Sequence, residues 1–270
     1  MSRASARAIS PSDARDLKAA VRAYWDEHVA DWKIARHPPG TKEFFEEVEA
    51  YRFEKLSYLP QRVDFAGYPG QSVLDVGCGL GNDLSRFARG GSIVTGIDIS
   101  PRAIDLARTN FQQRGLAGQF AVMDGEALEF PDGSFDVVYC HTVLHFTPHP
   151  DRMVGEIHRV LKDDGLAILM TVNRKSWMNW LRHVMKVDID HLDSPVFRHM
   201  TIGEFRELLR PFAAVDLVPE RFPVATKVHG GAKALLFNAV FVRGFKALPQ
   251  AWTRGTGHHL LAFCRKTARD

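Results

Sequence analysis

Short apolar runs alternate with helix-patterned stretches through the middle of the chain. The apolar runs predict strands at 72–76, 93–97, 119–123, 135–140 and 166–172. Between them, apolar residues recur at helical spacing at about 84–89, 101–114 and 150–161. Strands and helices that alternate in this way form a parallel sheet covered by helices on both faces. The pattern therefore predicts an α/β fold with a doubly wound parallel sheet, whose ligands bind beyond the carboxyl ends of the strands.

Two helices are predicted before the first strand of this sheet. Over 16–32, apolar residues that include Val21, Trp25 and Trp32 recur at three- and four-residue steps. Thr41 is a suitable N-cap for a second helix that ends before Pro60. We expect a disordered N-terminus at 1–15, a helical lid at 16–66 and a core domain at 67–270, with helical insertions at about 174–210 and 225–256.

The first predicted strand runs into a glycine-rich turn, D-V-G-C-G-L-G-N at 75–82. A helix is predicted directly after it, so backbone N–H groups and the positive end of that helix face one spot. A dinucleotide-binding turn, G-x-G-x-x-G, would have its third glycine at position 82, where Asn82 stands. Asp75 would repel a pyrophosphate, whereas it suits a ligand with an amino group and a sulfonium cation. The turn therefore favours such a ligand over NAD.

This turn resembles motif I of the class I S-adenosylmethionine-dependent methyltransferases. The resemblance covers 72–173, and the pattern is most similar to the type 11 methyltransferases, a group of small-molecule enzymes that includes those of ubiquinone and menaquinone biosynthesis. It implies a Rossmann-like, seven-stranded sheet in which 213–218 and 259–265 are the last two strands and form an antiparallel pair. It also implies S-adenosylmethionine as the cofactor, with S-adenosylhomocysteine as its product.

Acidic residues follow the next two predicted strands. An acid some 20 residues past the turn can accept hydrogen bonds from both ribose hydroxyls, and Asp98 holds that place. The resemblance implies that Asp124 contacts the adenine amino group and that Tyr24 or Trp25 covers the cofactor. The predicted cofactor-binding residues are Tyr24, Trp25, Asp75, Gly77, Cys78, Gly79, Gly81, Asp98, Ile99, Asp124, Gly125, Glu126 and His141.

Two histidines follow the fourth predicted strand, where the cofactor's methyl group is expected. His141 is the first polar residue past the strand, and His145 lies four residues on, on the same face if the exit is helical. Either is a candidate catalytic base, because histidine titrates near neutral pH. In relatives the position of His141 often offers backbone or a small polar side chain, and that of His145 is frequently a packing residue. No third ligand accompanies the pair in the sequence, so no metal site is predicted.

Composition and charge limit the classes of partner that the sequence predicts. The chain has 270 residues and a formal net charge of +3, with no run of five or more Lys or Arg, which argues against a nucleic-acid partner. No apolar run approaches the roughly 18 residues of a membrane span. Its three cysteines are far apart and odd in number, which favours a reducing cytoplasm over a disulfide framework or a zinc site. The sequence does not indicate an oligomeric state.

About forty residues separate the last two predicted strands, an unusually long connection. This insertion is either an amphipathic helix that packs on the sheet or on a second subunit, or a peripheral contact through 227–246 with an apolar or membrane-borne substrate. Basic residues flank its apolar stretch, namely Lys227, Lys233, Arg243 and Lys246. Side chains that could recognise an acidic or phenolic acceptor are Arg36, Lys42, Arg52, Arg174, His191, Arg198 and His199.

Taken together, these features predict an S-adenosylmethionine-dependent methyltransferase that acts on a small organic acceptor. O- or N-methylation is favoured, in natural-product or quinone and lipid metabolism. A protein of the same fold that binds the cofactor without catalysis is the first alternative. An NAD-dependent oxidoreductase is a weaker one, because of Asp75 and Asn82. Nucleic-acid methylation is disfavoured, because the fourth strand has no N-P-P-Y-type motif.

Overall fold

A computed structural model gives the fold, and it describes residues 11–29, 34–185, 191–223 and 237–267. Trp32, Lys227, Lys233 and the first part of the insertion predicted at 225–256, residues 225–236, lie outside the described residues. Among the helices within those ranges, none is long and apolar enough to cross a membrane.

Within the part of the chain that the structure describes, seven strands form one mixed sheet in the order β3-β2-β1-β4-β5-β7-β6. The strands are β1 Ser72–Val76, β2 Ile93–Asp98, β3 Gln119–Val122, β4 Phe135–Cys140, β5 Leu161–Val172, β6 Ala214–Glu220 and β7 His259–Arg265. Neighbours from β3 to β5 pair in parallel, whereas β7 lies antiparallel between β5 and β6. The predicted fold class, a doubly wound Rossmann-like sheet with an antiparallel last strand, is confirmed.

The helices connect and cover these strands. They are α1 Pro11–Glu27, α2 Lys42–Lys55, α3 Leu59–Arg62, α4 Asn82–Arg89, α5 Pro101–Gln113, α6 Pro150–Val160, α7 Trp177–Met185, α8 Ile202–Leu208, α9 Val242–Ala247 and α10 Gln250–Thr253. A π-helical turn, Phe237–Phe241, precedes α9.

Several boundaries differ from the sequence-based expectation. The first helix begins at Pro11, inside the terminus expected to be disordered, and ends at Glu27 rather than at residue 32. The second helix ends at Lys55, and the short α3 follows it before the core domain. The fifth strand begins at Leu161 instead of 166, because Leu161 pairs with Phe135 of β4 and extends the ladder.

Both faces of the sheet are buried, as a parallel sheet requires. Along β1 the side chains alternate, so Val73 packs in the layer with Phe87 of α4, while Leu74 packs in the opposite layer with Ile157 of α6. Phe44 is fully buried with Leu80 and Ala103 in a smaller cluster, together with its neighbour Phe45. This aromatic pair therefore packs α2 onto the core.

Candidate active site

The glycine-rich turn after β1 adopts a backbone that only glycine takes without strain. Gly77, Gly79 and Gly81 all have positive φ angles, of 77°, 52° and 72°. A Cβ on Gly77 would lie 2.3 Å from Val143 Cγ2, whereas a Cβ on Gly79 would have no atom within 4 Å. Gly77 is thus required by packing, while Gly79 borders open space in which a ligand can approach the backbone.

Asp98 connects this turn to Ser100, the N-cap residue of α5. One carboxylate oxygen accepts a hydrogen bond from the Gly79 N–H at 3.0 Å, and the other accepts from the Ser100 N–H at 2.9 Å. Burial raises the pKa of Asp98 despite these bonds. Ile99, the next residue, is half-buried. Asp98 stands at the carboxyl end of β2, where the ribose contact is predicted.

Asp75 is buried within β1 with 3% of its surface exposed. Burial raises its pKa well above the ordinary value, and the nearby charges of Asp83 and Asp98 add to the rise. A cation bound beside Asp75 would offset this unfavourable field. Cys78 is buried too and packs against Ile104 and Ala107, so only its backbone can face a ligand.

An unpredicted lysine reaches the residues that follow β3. Lys18 of α1 forms ion pairs with Asp124 and, at 2.7 Å, with Glu126. Glu126 also accepts hydrogen bonds from the Thr147 hydroxyl and from the His149 N–H at 2.8 Å. Asp124 is half-buried and remains accessible, whereas the Glu126 side chain has a structural role between β3 and β4.

Gly125 is required by packing, since a Cβ there would lie 2.7 Å from Met153 Cε and 2.8 Å from Val76 Cγ1. It therefore holds the loop after β3 close to the end of β1 and to α6.

Helix α1 lies across the same edge of the sheet. Asp26 accepts hydrogen bonds from the Ser100 hydroxyl at 2.8 Å and from the Arg102 N–H at 3.0 Å. The Tyr24 hydroxyl donates to Asp193 at 2.7 Å. The Trp25 ring packs edge-on against Phe146, with centroids 4.7 Å apart. The two predicted lid aromatics thus contact the exit of β4 and the 191–193 segment.

A buried ion pair stabilises the start of α4, directly after the glycine-rich turn. Arg52 of α2 donates two hydrogen bonds to the Asp83 carboxylate, at 2.6 and 2.5 Å, and the Tyr139 hydroxyl donates a third at 2.8 Å. Burial acts to raise the pKa of Asp83, but Arg52 and Tyr139 outweigh it and the net shift is downward. Asp83 is therefore ionised at neutral pH.

From Arg52 a chain of hydrogen bonds runs through the site. His141 Nδ1 lies 3.2 Å from Arg52 Nη2, and His141 Nε2 lies 2.9 Å from the Tyr58 hydroxyl. The same hydroxyl lies 2.7 Å from His259 Nδ1, and His259 Nε2 lies 3.0 Å from Arg221 Nη1. A guanidinium can only donate, so each histidine accepts from its arginine and donates its one N–H to the Tyr58 oxygen. The Tyr58 O–H is then left to donate to a third partner.

The backbone at the β4 exit is strained. Thr142 has a φ of 65°, a left-handed conformation that is unfavourable for a β-branched residue. This turn places His141 beside Tyr58 and directs the chain toward His145. Such strain is typical of functional sites.

His145 has a different environment from His141. It is buried, its ring lies 4.2 Å from that of Phe146 and 5.6 Å from that of Phe197, and its Nδ1 has no partner among the described residues. Burial lowers its pKa to about 3 and lowers the pKa of His141 well below the usual value. Both rings are therefore neutral at pH 7.

Sequence reasoning missed most of these contacts. Tyr58 and His259 are separated by 201 residues, and Lys18 and Asp124 by 106. Asp83 had a local signal, as an acid in the first turn after the glycines. Arg52 was considered only as one of several basic candidates. Of the other basic candidates, Arg36 is exposed and donates its backbone N–H to Glu47, and Lys42 is exposed and forms an ion pair with Glu46.

Comparison with known proteins agrees with the fold and with the turn. Residues 74–169 match a family model described as a methyltransferase domain.

Two curated relatives are named as quinone-pathway enzymes. A 2-methyl-6-phytyl-1,4-hydroquinone methyltransferase of Synechocystis is 33% identical over 206 residues, which cover 72% of this chain and 60% of that protein. A ubiquinone biosynthesis O-methyltransferase of Coxiella burnetii is 34% identical over 120 residues, which cover 44% of this chain and 50% of that protein. The matched part thus spans only half to three-fifths of these relatives.

A solved structure shares the fold over almost its whole length. The magnesium protoporphyrin IX methyltransferase of Synechocystis, solved with bound S-adenosylhomocysteine, has a TM-score of 0.57 at 18% identity. The match covers 92% of this chain and 99% of that one.

The two glycines predict contrasting variants. Gly77→Ala should lower the free energy of unfolding by roughly 3 kcal/mol, because left-handed strain adds to the collision with Val143. Gly79→Ala should lower it by only about 1 kcal/mol, from strain alone, but should weaken binding of S-adenosylhomocysteine. Urea unfolding and calorimetry measure the two effects. Equal destabilisation by both substitutions would contradict this assignment.

The buried His145 predicts acid sensitivity. Its pKa of about 3 lies below the ordinary 6.5, so between these values the unfolded chain binds a proton that the folded chain does not. Stability from this group therefore falls as the pH drops below 6.5, by about 2 kcal/mol at pH 5. His145→Phe should reduce the loss between pH 7 and pH 5 in urea unfolding by that amount. Leu144→Ala, the control, should destabilise equally at both pH values.

Proposed function

We propose that the protein transfers the methyl group of S-adenosylmethionine to a small organic acceptor, by O- or N-methylation. A hydroxylated aromatic ring, such as a hydroquinone, is the acceptor class that we favour. One observation carries the proposal: Asp75, Asp98, Asp124 and His141 stand at the ends of successive strands of one sheet edge, around a turn that is open at Gly79. The names of the relatives support the choice of acceptor.

The residues at this edge fit the cofactor. Gly79 leaves room for a ligand against the backbone, and the buried Asp75 would be relieved by a positive charge beside it. In our assignment Asp98 holds the ribose, Asp124 the adenine amino group, and Tyr24 and Trp25 cover the site. When bound, S-adenosylmethionine supplies a methyl group on a sulfonium, which a nucleophile can displace in line.

For such a displacement the protein mainly aligns the acceptor and excludes water. We assign the alignment to Tyr58, whose O–H is left to donate once both histidines donate to its oxygen. His141 then acts as a positioning residue, since both of its ring nitrogens are engaged. His145 keeps an unpartnered Nδ1 among the described residues and is the candidate base.

We also propose that the protein works in the cytoplasm on a small-molecule acceptor. The described cysteines, Cys78, Cys140 and Cys264, are all free and buried thiols. They are consistent with a reducing cytoplasm. We expect a small-molecule acceptor rather than a nucleic acid.

The cofactor assignment is tested by calorimetry with S-adenosylhomocysteine. Asp98→Ala removes charge-assisted hydrogen bonds to the ribose, so affinity should fall by about 2–3 kcal/mol. The control is Asp105→Ala, at an exposed acid of α5, which should bind normally. Binding of NADH in place of S-adenosylhomocysteine would refute the proposal.

The acceptor assignment is tested with Tyr58→Phe. Loss of the hydroxyl should reduce kcat/KM for a hydroquinone acceptor by about 10-fold or more, because both histidine N–H groups and the acceptor lose a partner. Affinity for S-adenosylhomocysteine should stay within a factor of about two, because Tyr58 lies outside the cofactor site as assigned. Tyr51→Phe, on α2, is the matched control. An unchanged kcat/KM for Tyr58→Phe would exclude this role.

A further inference from the structure

Four large apolar side chains are exposed in two segments of the chain, α7 and 240–252. Trp180 of α7 is 59% exposed, and Val240, Leu248 and Trp252 are 61%, 45% and 74% exposed. Elsewhere among the described residues, only Ile34, Ile93 and Val122 are large apolar residues of comparable exposure. Single exposed apolar residues are ordinary, but a concentration of them indicates an interaction surface.

Aromatic contacts join the segments that carry these residues. The rings of Trp180 and Phe241 stack, with centroids 6.2 Å apart, and Phe241 also lies 5.8 Å from Trp177. Phe241 in turn contacts Phe245 of α9 at 6.1 Å. The π-helical turn and α9 are thereby held against α7.

The stretches of sequence that contain these segments are strongly basic. No Asp or Glu occurs at 165–187 or at 221–269, whereas these two stretches hold 13 of the 35 Lys and Arg residues. The rest of the chain has 22 basic and 32 acidic residues, a net charge of −10. Within these stretches Arg243, Lys246 and Arg254 are exposed. We call Trp180, Val240, Arg243, Lys246, Leu248 and Trp252 the aromatic–basic face.

This face adjoins the candidate active site. The Asn173 side chain, at the end of β5, donates hydrogen bonds to the carbonyls of Gly255 at 2.9 Å and Gly257 at 2.8 Å. The Ser176 hydroxyl, one residue before α7, lies 2.9 Å from His258 Nδ1. His259, which contacts Tyr58, is the next residue. Both segments of the face thus begin or end at the edge where the acceptor is expected.

We propose that the aromatic–basic face docks the protein on the surface of an anionic phospholipid bilayer. Exposed Trp, Leu and Val side chains enter the interface between headgroups and acyl chains, and Arg and Lys contact the phosphates. A second copy of the chain is a poorer occupant, because two such basic faces would repel each other. Docking would bring a lipid-borne acceptor to the site, and that consequence alone rests on the proposed methyl transfer.

Vesicle sedimentation tests the docking without any methyl transfer. The full-length protein should pellet with vesicles of phosphatidylcholine and phosphatidylglycerol at low salt, and much less with phosphatidylcholine alone or at 0.5 M salt. Arg243→Glu combined with Lys246→Glu should weaken partition by about 25-fold or more, since each basic residue near the surface contributes about 5-fold. Trp180→Ser combined with Trp252→Ser should also weaken it.

Matched variants outside the face serve as controls. Arg152→Glu combined with Arg206→Glu makes the same charge change at exposed positions of α6 and α8, and Ile93→Ser removes an exposed apolar residue of β2. Both should partition as the wild type does, and all variants should bind S-adenosylhomocysteine equally. Failure to pellet with anionic vesicles overturns the docking, as does equal weakening by the controls. A dimer that the tryptophan substitutions dissociate would instead assign the face to a second copy. If the wild type does not bind S-adenosylhomocysteine but still pellets with anionic vesicles, the proposed function is refuted and the docking is supported.

Discussion

The buried ion pair between Arg52 and Asp83 is the interaction on which the candidate active site depends. Asp83 is in the first turn of α4, directly after the glycine turn, and Arg52 comes from α2, outside the core sheet. Breaking a buried pair leaves one charge without compensation, which is strongly unfavourable. The pair therefore fixes α2 against the turn. Because Arg52 also donates to His141, it sets the tautomer of that ring and, through it, the orientation of Tyr58.

Strand register explains why polar groups from distant parts of the chain meet at one edge. Val76 pairs with Ile97, and Asp75 pairs with Tyr139, so β1, β2 and β4 end side by side. The antiparallel β7 then contributes its first residue, since His259 pairs with Val172 at the end of β5. A parallel last strand would place its first residue at the opposite edge. The inverted strand is thus what brings His259 to Tyr58.

The sequence predicts the part of this arrangement that local pattern encodes. Alternating apolar runs gave the sheet, and residues such as Asp98 and His141 were placed at strand ends because the ends of short strands are visible in sequence. The start of β5 was misplaced, since Lys162–Gly165 has turn composition and forms an irregularity in the strand, while Leu161 before it still pairs with Phe135 of β4. Lys18 and Tyr58 contact residues 106 and 201 positions away, so no spacing in the sequence connects them to the site.

The site is enclosed by two kinds of surface. On one side polar contacts hold α1 in place, because Lys18 pairs with Asp124 and Asp26 accepts a hydrogen bond from Ser100. This is the side where a charged cofactor is expected. On the other side lie apolar rings. Trp177 and Trp180 of α7 follow the end of β5 and contact Phe241 of the π-helical turn. A cofactor with a charged amino acid and a nucleoside fits the first surface, and an acceptor with an apolar tail fits the second. Ser176, just before Trp177, lies 2.9 Å from His258, and the next residue, His259, contacts Tyr58, so in our proposal each ligand keeps surroundings that match its own polarity.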